Sequence, residues 1–348
     1  MENSKSILVV GGGLSGVCVA YQLIRSGIHV TLIDGGENHS SVVAAGMINP
    51  LVFRRMNKSW RVDEFMPYLT TFYATLEQET GTSFFHPVVI RRLFSSDQER
   101  TLWCERETTP AYENYMTPLT EEDLAYSETI NPFGSGRVKN AFHISPIPFL
   151  RAMKNLIAAR GALISEAFDY TQLSDTHYKE IAFDDIVFCE GYLGKKNPWF
   201  GELPLNQTKG ELLTIRAESL PEHESVNRKC FVLPLGGHQF KIGSTYVWNT
   251  ATTNITPEGR DEILGNLTYL TKEEVEILDQ KAGIRPTTKD RRPLIGTHSS
   301  KKNYHFFNGL GAKGYMLAPL LSDEFCKYLL NGASLDPEVD LNRFTSKR

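Results

Sequence analysis

Residues 7–34 contain, in unbroken succession, an apolar strand, a glycine turn, a helix pattern and a second apolar strand that ends in an acidic residue. The four apolar residues 7–10 are typical of a strand buried on both faces. Gly11, Gly13 and Gly16 follow with the spacing G-x-G-x-x-G, which opens the helix of dinucleotide-binding βαβ units. The segment therefore predicts an α/β fold whose first turn cradles a dinucleotide.

Each of these residues has a physical role in such a cradle. Gly11 lets the chain turn tightly, Gly13 leaves room for a pyrophosphate beside the backbone, and Gly16 lets the helix lie close to the sheet. The helix directs its free N–H groups and the positive end of its dipole at the phosphates. Asp34 ends the second strand, where its carboxylate can bind a ribose diol and would repel a 2′-phosphate. NADP is therefore the least favoured dinucleotide, and NAD and FAD both remain open.

The amino-acid composition indicates which classes of protein this chain could belong to. Of the 348 residues, 41% are hydrophobic and 22% are charged, as in globular proteins. No apolar stretch reaches the ~20 residues that span a bilayer, and three adjacent glycines argue against a signal peptide at the N-terminus. The net charge of −4 disfavours general nucleic-acid binding. The five cysteines are scattered and never spaced C-x-x-C, which predicts reduced thiols in a cytoplasmic protein and no metal site.

The rest of the chain alternates between α/β and β-rich segments. Residues 40–50 are small and end in proline, which would let the backbone approach a flat ring. Residues 95–134 are polar and irregular in pattern. Residues 304–319 repeat the opening succession of strand, glycine turn and helix. Apolar periodicity predicts helices at 60–80, 148–161 and 271–280, and strands at 84–94, 162–167, 185–191, 209–215, 230–235 and 239–246, with a hairpin tip at Gly236 and Gly237.

Six segments together carry a family resemblance: the N-terminal cradle and residues 41–50, 186–191, 243–246, 283–296 and 309–319. In this order they resemble the FAD-dependent amine oxidases grouped with D-amino-acid oxidase and glycine oxidase. The resemblance implies noncovalent FAD, with the isoalloxazine near residues 45–48 and its pyrimidine edge near residues 311–316. It also implies that the cofactor contacts are Gly11, Gly13, Leu14, Ser15, Gly16, Asp34, Ser41, Ala45, Gly46, Met47, Gly191, Gly311, Ala312, Lys313, Gly314, Tyr315 and Met316.

The expected fold is α/β, with a Rossmann-like FAD-binding domain built from discontinuous segments and an inserted antiparallel-sheet α+β substrate domain. The FAD-binding domain is expected to comprise residues 1–83, 142–205 and 283–348, and the substrate domain residues 84–141 and 206–282. The glycine turn of residues 309–314 would place N–H groups where a reduced flavin carries negative charge. A plain connection between strand and helix is the alternative for that turn, and Lys313 beside it could lie over the flavin edge or face solvent.

Arg285 is the expected substrate-binding residue, because in similar oxidases the arginine of the G-x-R-P segment grips the substrate carboxylate. A guanidinium matches a carboxylate with two parallel bonds, and two such bonds favour a carboxylated amine by about 100-fold or more. The alternative is an arginine that bridges the two domains. Tyr246 and Tyr315 complete the expected catalytic set, where they could close the pocket or hydrogen-bond the amine, or serve as core aromatics.

Two departures from the family pattern are visible. The segment 308–319 lacks the second arginine usual in glycine oxidases, with Ala312 and Lys313 in its place, which disfavours glycine as the substrate. No basic residue follows Asp34 directly, although similar flavoproteins often have one there for adenosine recognition.

The predicted activity is oxidation of the C–N bond of a small amino acid or secondary amine that carries a carboxylate, with oxygen or another electron acceptor. Residues 242–246 and 309–314 also resemble the oxidase half of the bifunctional wobble-uridine tRNA modification enzyme. That half acts on a carboxymethylaminomethyl group of tRNA, although the net acidity of this chain disfavours a nucleic-acid partner. A dehydrogenase of a related small carboxylate and a non-catalytic FAD-binding scaffold are further alternatives.

Overall fold

A computed structural model describes residues 5–36 and 40–344. Short 3-10 turns cover Phe53–Arg55, Pro110–Tyr112, Tyr170–Gln172, Gly191–Lys196, Gly311–Lys313 and Leu341–Phe344. The helices are α1 Leu14–Arg25, α2 Ser40–Val43, α3 Val62–Thr80, α4 Asp97–Glu107, α5 Glu121–Ala125, α6 Pro146–Arg160, α7 Pro257–Leu267 and α8 Gly314–Asn331. The strands are β1 Ser6–Val10, β2 His29–Ile33, β3 Met47–Ile48, β4 Leu51–Val52, β5 Asn57–Lys58, β6 Phe85–Leu93, β7 Ser135–Ile144, β8 Ala162–Ile164, β9 His177–Tyr178, β10 Ile181–Ala182, β11 Asp185–Phe188, β12 Leu205–Arg216, β13 Ser225–Arg228, β14 Cys230–Gly236, β15 Gln239–Gly243, β16 Val247–Trp248, β17 Glu276–Thr288, β18 Leu294–Thr297 and β19 Tyr304–Asn308.

The first of the two large sheets is mostly parallel and has the strand order β18-β19-β11-β1-β2-β8. Every neighbouring pair is parallel except β18 with β19 at one edge. Its strands come from the start, the middle and the end of the chain, and α1 and α8 pack together beside it through apolar residues such as Val17 and Leu321. This arrangement confirms the predicted Rossmann-like fold built from discontinuous segments.

The second large sheet has the order β16-β12-β15-β14-β13-β6-β7-β3, and β17 also pairs with β12. It is antiparallel, as predicted, except that β13 runs parallel to β6. The hairpin of β14 and β15 turns at Gly236 and Gly237, whose φ angles of 88° and 62° lie in the left-handed region that glycine adopts without strain. One face of this sheet is turned toward α2 and the glycine turn of β1.

The predicted helix at residues 271–280 is wrong. Strand β17 occupies residues 276–288 and pairs with β12 along its length, from Leu205 opposite Thr288 to Arg216 opposite Glu276. The residues before it are irregular with a bend at Glu273, whose carboxylate accepts hydrogen bonds from the backbone N–H groups of residues 218 and 219. A long partner strand therefore overrides the helix-forming charged residues of this segment.

The expectation of irregular structure in residues 95–134 is wrong in part, because the segment contains α4 and α5. The Ser96 side chain caps α4 by accepting from Glu99 N, and Thr120 and Asp123 form a capping box at α5. Trp103 is the only buried residue of α4, so the apolar periodicity that reveals a helix is faint there. Within the described ranges no helix is long and apolar enough to cross a membrane.

The other predicted elements are confirmed with shifted ends. The helices of residues 60–80 and 148–161 correspond to α3 and α6. The predicted strands correspond to β6, β8, β11, β12, β14 and β15, of which β15 ends at Gly243 and is followed by the short β16. Both expected successions of strand, glycine turn and helix are present, as β1 to α1 and as β19 to α8.

Candidate active site

The glycine turn between β1 and α1 is tightly packed. A Cβ on Gly16 would lie 1.8 Å from the Gly11 carbonyl oxygen, and a Cβ on Gly11, whose φ is +101°, would lie 2.7 Å from the Cys189 carbonyl oxygen. Helix α1 then begins at Leu14, whose backbone N–H donates to Ser41 Oγ over 3.0 Å. The first and third glycines therefore allow backbone contacts that a side chain would prevent.

Asp34 lies at the end of β2, as predicted, and is bound by a lysine from a distant helix. Lys154 Nζ of α6 is 2.5 Å from Asp34 Oδ2. Burial alone would raise the pKa of Asp34, but Lys154 and the backbone N–H groups of Gly12 and Gly36 outweigh burial and hold that pKa below its ordinary value. Lys154 thus supplies, from another part of the chain, the basic neighbour that is missing directly after Asp34.

A second buried acid lies beside this pair in a cavity whose lining includes Gly11, Asp34, Tyr170 and Glu190. The Tyr170 hydroxyl and Asn197 Nδ2 both donate to the Glu190 carboxylate, the latter over 2.9 Å. Burial raises the pKa of Glu190 to about 7, against the effect of these two hydrogen bonds. No sequence motif marks Glu190, Tyr170 or Asn197, because these residues meet only in the folded chain.

A larger cavity adjoins this one and shares Gly13 and Cys189 with it. The two form a groove that runs from Asp34, past the N-terminus of α1, to Arg285. The larger cavity is lined by Gly13, Leu14, Ser15, Ser40, Ser41, Val43, Ala44, Ala45, Gly46, Met47, Cys189, Gly191, Gly210, Leu212, Phe231, Ser244, Gly283, Arg285, Pro286, Leu310, Gly311, Ala312, Gly314 and Tyr315. An elongated groove at the carboxyl ends of parallel strands, with a helix N-terminus beside it, has the form of a dinucleotide site.

Most of the expected site residues lie in this groove. Gly11 and Asp34 line its smaller cavity, and twelve of the other expected cofactor contacts line its larger one. Gly16, Lys313 and Met316 do not line either cavity. Gly210, Leu212 and Phe231 also line the larger cavity; they belong to no sequence motif, and β12 and β14 bring them there.

Arg285 lines the larger cavity and is partly buried. Its Nη2 donates to Ser244 Oγ over 2.7 Å and its Nη1 donates to the Thr245 carbonyl oxygen over 3.4 Å. In the part of the chain that the structure describes, no carboxylate forms an ion pair with it, and burial lowers its pKa. A Cβ on Gly210 would lie 2.2 Å from Nη2, so this glycine provides the space that the guanidinium occupies.

The two expected tyrosines are placed differently. Tyr315 lines the cavity but is only 5% exposed, and its hydroxyl donates to the Ser41 carbonyl oxygen over 2.8 Å. Tyr246 does not line the cavity; it is 46% exposed, and its ring centroid lies 5.1 Å from Arg285 Cζ. Tyr315 therefore ties α8 to the segment after β2, and Tyr246 covers the outer side of the guanidinium.

The turn before α8 is held by Lys313. Its Nζ donates to the Asn49 carbonyl oxygen over 2.9 Å and to Ser59 Oγ over 2.6 Å, and burial lowers its pKa to about 8. It therefore neither faces solvent nor reaches the cavity. A Cβ on Gly314 would lie 2.8 Å from Leu14 Cδ2, so the N-termini of α8 and α1 meet at the same groove, as the repeated pattern predicts.

Further basic side chains lie behind residues 44 and 45. Lys241 Nζ of β15 donates to the Ala44 carbonyl oxygen over 3.4 Å, and burial and Lys281 lower the pKa of Lys241. His86 and His143 are cross-strand neighbours, and burial lowers the pKa of His143 to about 4 with the help of His86 and Lys241. The imidazole of His143 is therefore neutral at pH 7.

Comparison with known proteins agrees with this geometry. Residues 6–327 match the DAO family, described as FAD dependent oxidoreductase. The chain is 21% identical to the uncharacterized oxidoreductase YurR of Bacillus subtilis, covering 98% of both proteins. It is 25% identical to the glycine oxidase of Pseudomonas aeruginosa, covering 91% of this chain and 92% of that protein.

Two further comparisons concern a longer protein and a solved structure. The chain is 22% identical to the tRNA 5-methylaminomethyl-2-thiouridine biosynthesis bifunctional protein MnmC of Saccharophagus degradans, covering 84% of this chain but only 44% of that protein. The crystal structure of glycine oxidase from Geobacillus kaustophilus superposes with a TM-score of 0.81 at 20% identity, covering 96% of this chain and 97% of the other. The family match extends over most of the chain, and this chain therefore belongs to the DAO family of FAD-dependent oxidoreductases.

Proposed function

We propose that this enzyme oxidises the C–N bond of a small amino acid or secondary amine that carries a carboxylate. The proposal is carried by one observation: the partly buried guanidinium of Arg285 lines the groove and has no carboxylate partner among the described residues. A desolvated cation in this position favours an anionic ligand, and a guanidinium pairs best with a planar carboxylate. The substrate carboxylate supplies the missing negative charge.

The residues of the groove fit FAD at the other end of the same space. Gly11, Gly13 and the N-terminus of α1 would hold its pyrophosphate, and Asp34 its ribose. The remaining expected contacts, in residues 41–47, at residue 191 and in residues 311–316, are proposed to surround the isoalloxazine, although the side chains of Lys313 and Met316 do not reach the cavity. Bound FAD supplies the hydride acceptor for the reaction. We propose that it is held noncovalently.

The side chains that line the larger cavity indicate whether a general base is present in it. It contains no Asp, Glu, His or Lys among the residues described, and burial raises the pKa of both Cys189 and Tyr315 well above pH 7. Neither is therefore available as a general base. We propose that the substrate binds with a neutral amine: its Cα–H leaves as hydride, its nitrogen lone pair forms the C=N bond, and water hydrolyses the imine. The two electrons then pass to oxygen or to another acceptor.

Anaerobic mixing tests the proposal. The holoenzyme is mixed with glycine, D- and L-amino acids, sarcosine, proline and carboxymethylaminomethyl-modified tRNA, and flavin absorbance is followed. We expect at least one small carboxylated amine to bleach the flavin, and Arg285→Met to weaken its binding about 100-fold. Arg291→Met is the matched control, because Arg291 is exposed and lies outside the groove.

The outcomes separate the candidate functions. Bleaching only by the modified tRNA would favour the second candidate, wobble-uridine modification, which is suggested by the similarity to MnmC. Flavin that no compound bleaches would contradict an oxidase of this class and indicate an FAD-binding scaffold. If Arg285→Met and Arg291→Met bind the substrate equally well, the carboxylate role of Arg285 is wrong.

We also propose the division into an FAD-binding domain of residues 1–83, 142–205 and 283–348 and a substrate domain of residues 84–141 and 206–282. All strands of the parallel sheet fall in the first set, which supports this division, whereas β7, β12 and β17 cross its boundaries. A cytoplasmic location is proposed from the scattered cysteines, and cell fractionation would test it.

A further inference from the structure

We infer that the substrate carries a large apolar group, preferably aromatic, and that this group packs on Tyr246 and Trp248 at the mouth of the larger cavity. The inference rests on the proposed function, because Arg285 is taken to anchor the carboxylate. It concerns the part of the substrate that extends away from the reacting C–N bond.

Tyr246 and Trp248 form an aromatic surface on the segment that follows β15. Their ring centroids lie 4.9 Å apart with an interplanar angle of 70°, and the residues are 46% and 51% exposed. Val247 between them is 44% exposed. Trp248 is held in place by β16, in which it pairs with Thr208 of β12. Two large aromatic residues are thus kept half exposed to solvent in a fixed geometry.

The aromatic surface begins where the cavity ends. Ser244 lines the cavity, Arg285 Nη2 donates to its hydroxyl, and the Tyr246 ring covers the same guanidinium at 5.1 Å. The Trp248 ring packs against the Tyr246 ring, and Trp248 pairs with Thr208 of β12, two residues before Gly210. A ligand that is bound at Arg285 and is long enough to extend out of the cavity beside Tyr246 would therefore contact the aromatic surface.

The lining of the larger cavity favours an apolar group over a charged one. Leu212, Phe231 and Pro286 line the cavity near Arg285. Apart from Arg285, no ionised side chain lies among the described lining residues. A second carboxylate or an ammonium on the substrate would lose water there without gaining a partner, whereas an aromatic group gains contacts with the exposed faces of the two rings.

The test compares two carboxylates that differ only in an apolar group. The holoenzyme is titrated with acetate and with 3-phenylpropionate, and dissociation constants are read from the change in flavin absorbance. We expect 3-phenylpropionate to bind at least tenfold more tightly than acetate, and Trp248→Ala to reduce this ratio about three- to tenfold. Tyr269→Ala is the matched control, because Tyr269 is 45% exposed and lies outside the groove.

Reduction of the flavin provides a second readout. Phenylalanine, as both enantiomers, is compared with glycine in anaerobic mixing, and we expect at least one enantiomer to reduce the flavin at a lower concentration than glycine does. Trp248→Leu, which keeps an apolar side chain and removes the ring, is the second variant if Trp248→Ala loses its flavin. It is expected to reduce the ratio of the two affinities in the same direction.

Each contrary result points to a different error. Equal affinity for the two carboxylates in the wild type overturns the inference and leaves the Arg285 site intact. A ratio that is unchanged in both Trp248 variants also overturns it, and a simultaneous change in sedimentation would show that the aromatic surface binds a second copy of the chain. If neither carboxylate perturbs the flavin and no amine reduces it, the proposed function itself fails.

Discussion

Gly210→Ala should weaken carboxylate binding without disturbing the fold. A Cβ at this position would lie 2.2 Å from Nη2, 2.3 Å from Nη1 and 2.4 Å from Cζ of Arg285. Unstrained contacts between such atoms are about 3.5 Å long, so the guanidinium must move by about 1 Å. The backbone can accept alanine, because the clash is with the end of a flexible side chain and the φ angle of Gly210 is not in the left-handed region.

The size of the effect follows from the bonds that are displaced. Each charge-assisted hydrogen bond to the substrate contributes about 1.5–3 kcal/mol, and a shift of 1 Å disrupts at least one of two parallel bonds. The dissociation constant of a carboxylate ligand should therefore rise about 10- to 100-fold. It is measured by titrating flavin absorbance, with flavin content and melting temperature recorded alongside.

Gly265→Ala is the control for this variant. No atom lies within 4 Å of a Cβ at Gly265, which lies inside α7, so alanine there should preserve binding and slightly raise the melting temperature. If Gly210→Ala binds the carboxylate as tightly as the wild type, then Arg285 does not bind it in the observed position. If Gly210→Ala loses FAD, the space beside Gly210 is needed for FAD binding as well as for the guanidinium.

Two further predictions concern the smaller cavity. Burial raises the pKa of Glu190 from 4.5 to about 7, so its contribution to stability is complete below pH 4.5 and is lost as the pH rises through 7. Because of this group, the free energy of unfolding of the wild type should fall by up to about 3 kcal/mol between pH 5 and 8, and Glu190→Gln should abolish that fall. The prediction is contradicted if urea unfolding of Glu190→Gln shows the same pH dependence as the wild type. Lys154→Met removes the cation that lowers the pKa of Asp34 and should weaken FAD retention about three- to tenfold. Retention after dilution is compared with that of Lys327→Met, which breaks an exposed ion pair, and equal retention in the two variants would refute a role for Lys154.

The parts of this structure that could be predicted from sequence are those that local constraints determine. The turn with Gly11, Gly13 and Gly16 is required by contacts within about twenty-five residues and with one neighbouring strand. The hairpin tip at residues 236 and 237 follows from glycine chemistry in the same way. The family resemblance predicts Arg285 as the substrate-binding residue, and the structure adds that it lies in the groove with no carboxylate partner among the described residues.

The parts that could not be predicted depend on distant segments. The helix expected at residues 271–280 fails because β12, sixty or more residues earlier in the chain, pairs with β17 from Glu276 onward, with one register shift between Thr214 and Ile215. Lys154 and Asp34, whose side chains form an ion pair, are 120 residues apart in the sequence. No local pattern marks Gly210 as the residue that leaves space for a guanidinium, because Arg285, which occupies that space, belongs to a different strand, β17. Such pairings follow from strand order and register, which single-sequence patterns do not specify.

The meeting of α1 and α8 at one groove has a consequence for how the enzyme is made. The two helix N-termini that adjoin the groove are separated by about 300 residues of chain, and β19, which precedes α8, is the direct neighbour of β11 in the parallel sheet. During translation, residues 7–34 are made long before residues 304–319, so the two helix N-termini can adjoin one groove only after β19 and α8 have been made. A ligand that contacts both helix N-termini would therefore stabilise only those chains in which α1 and α8 are already packed together.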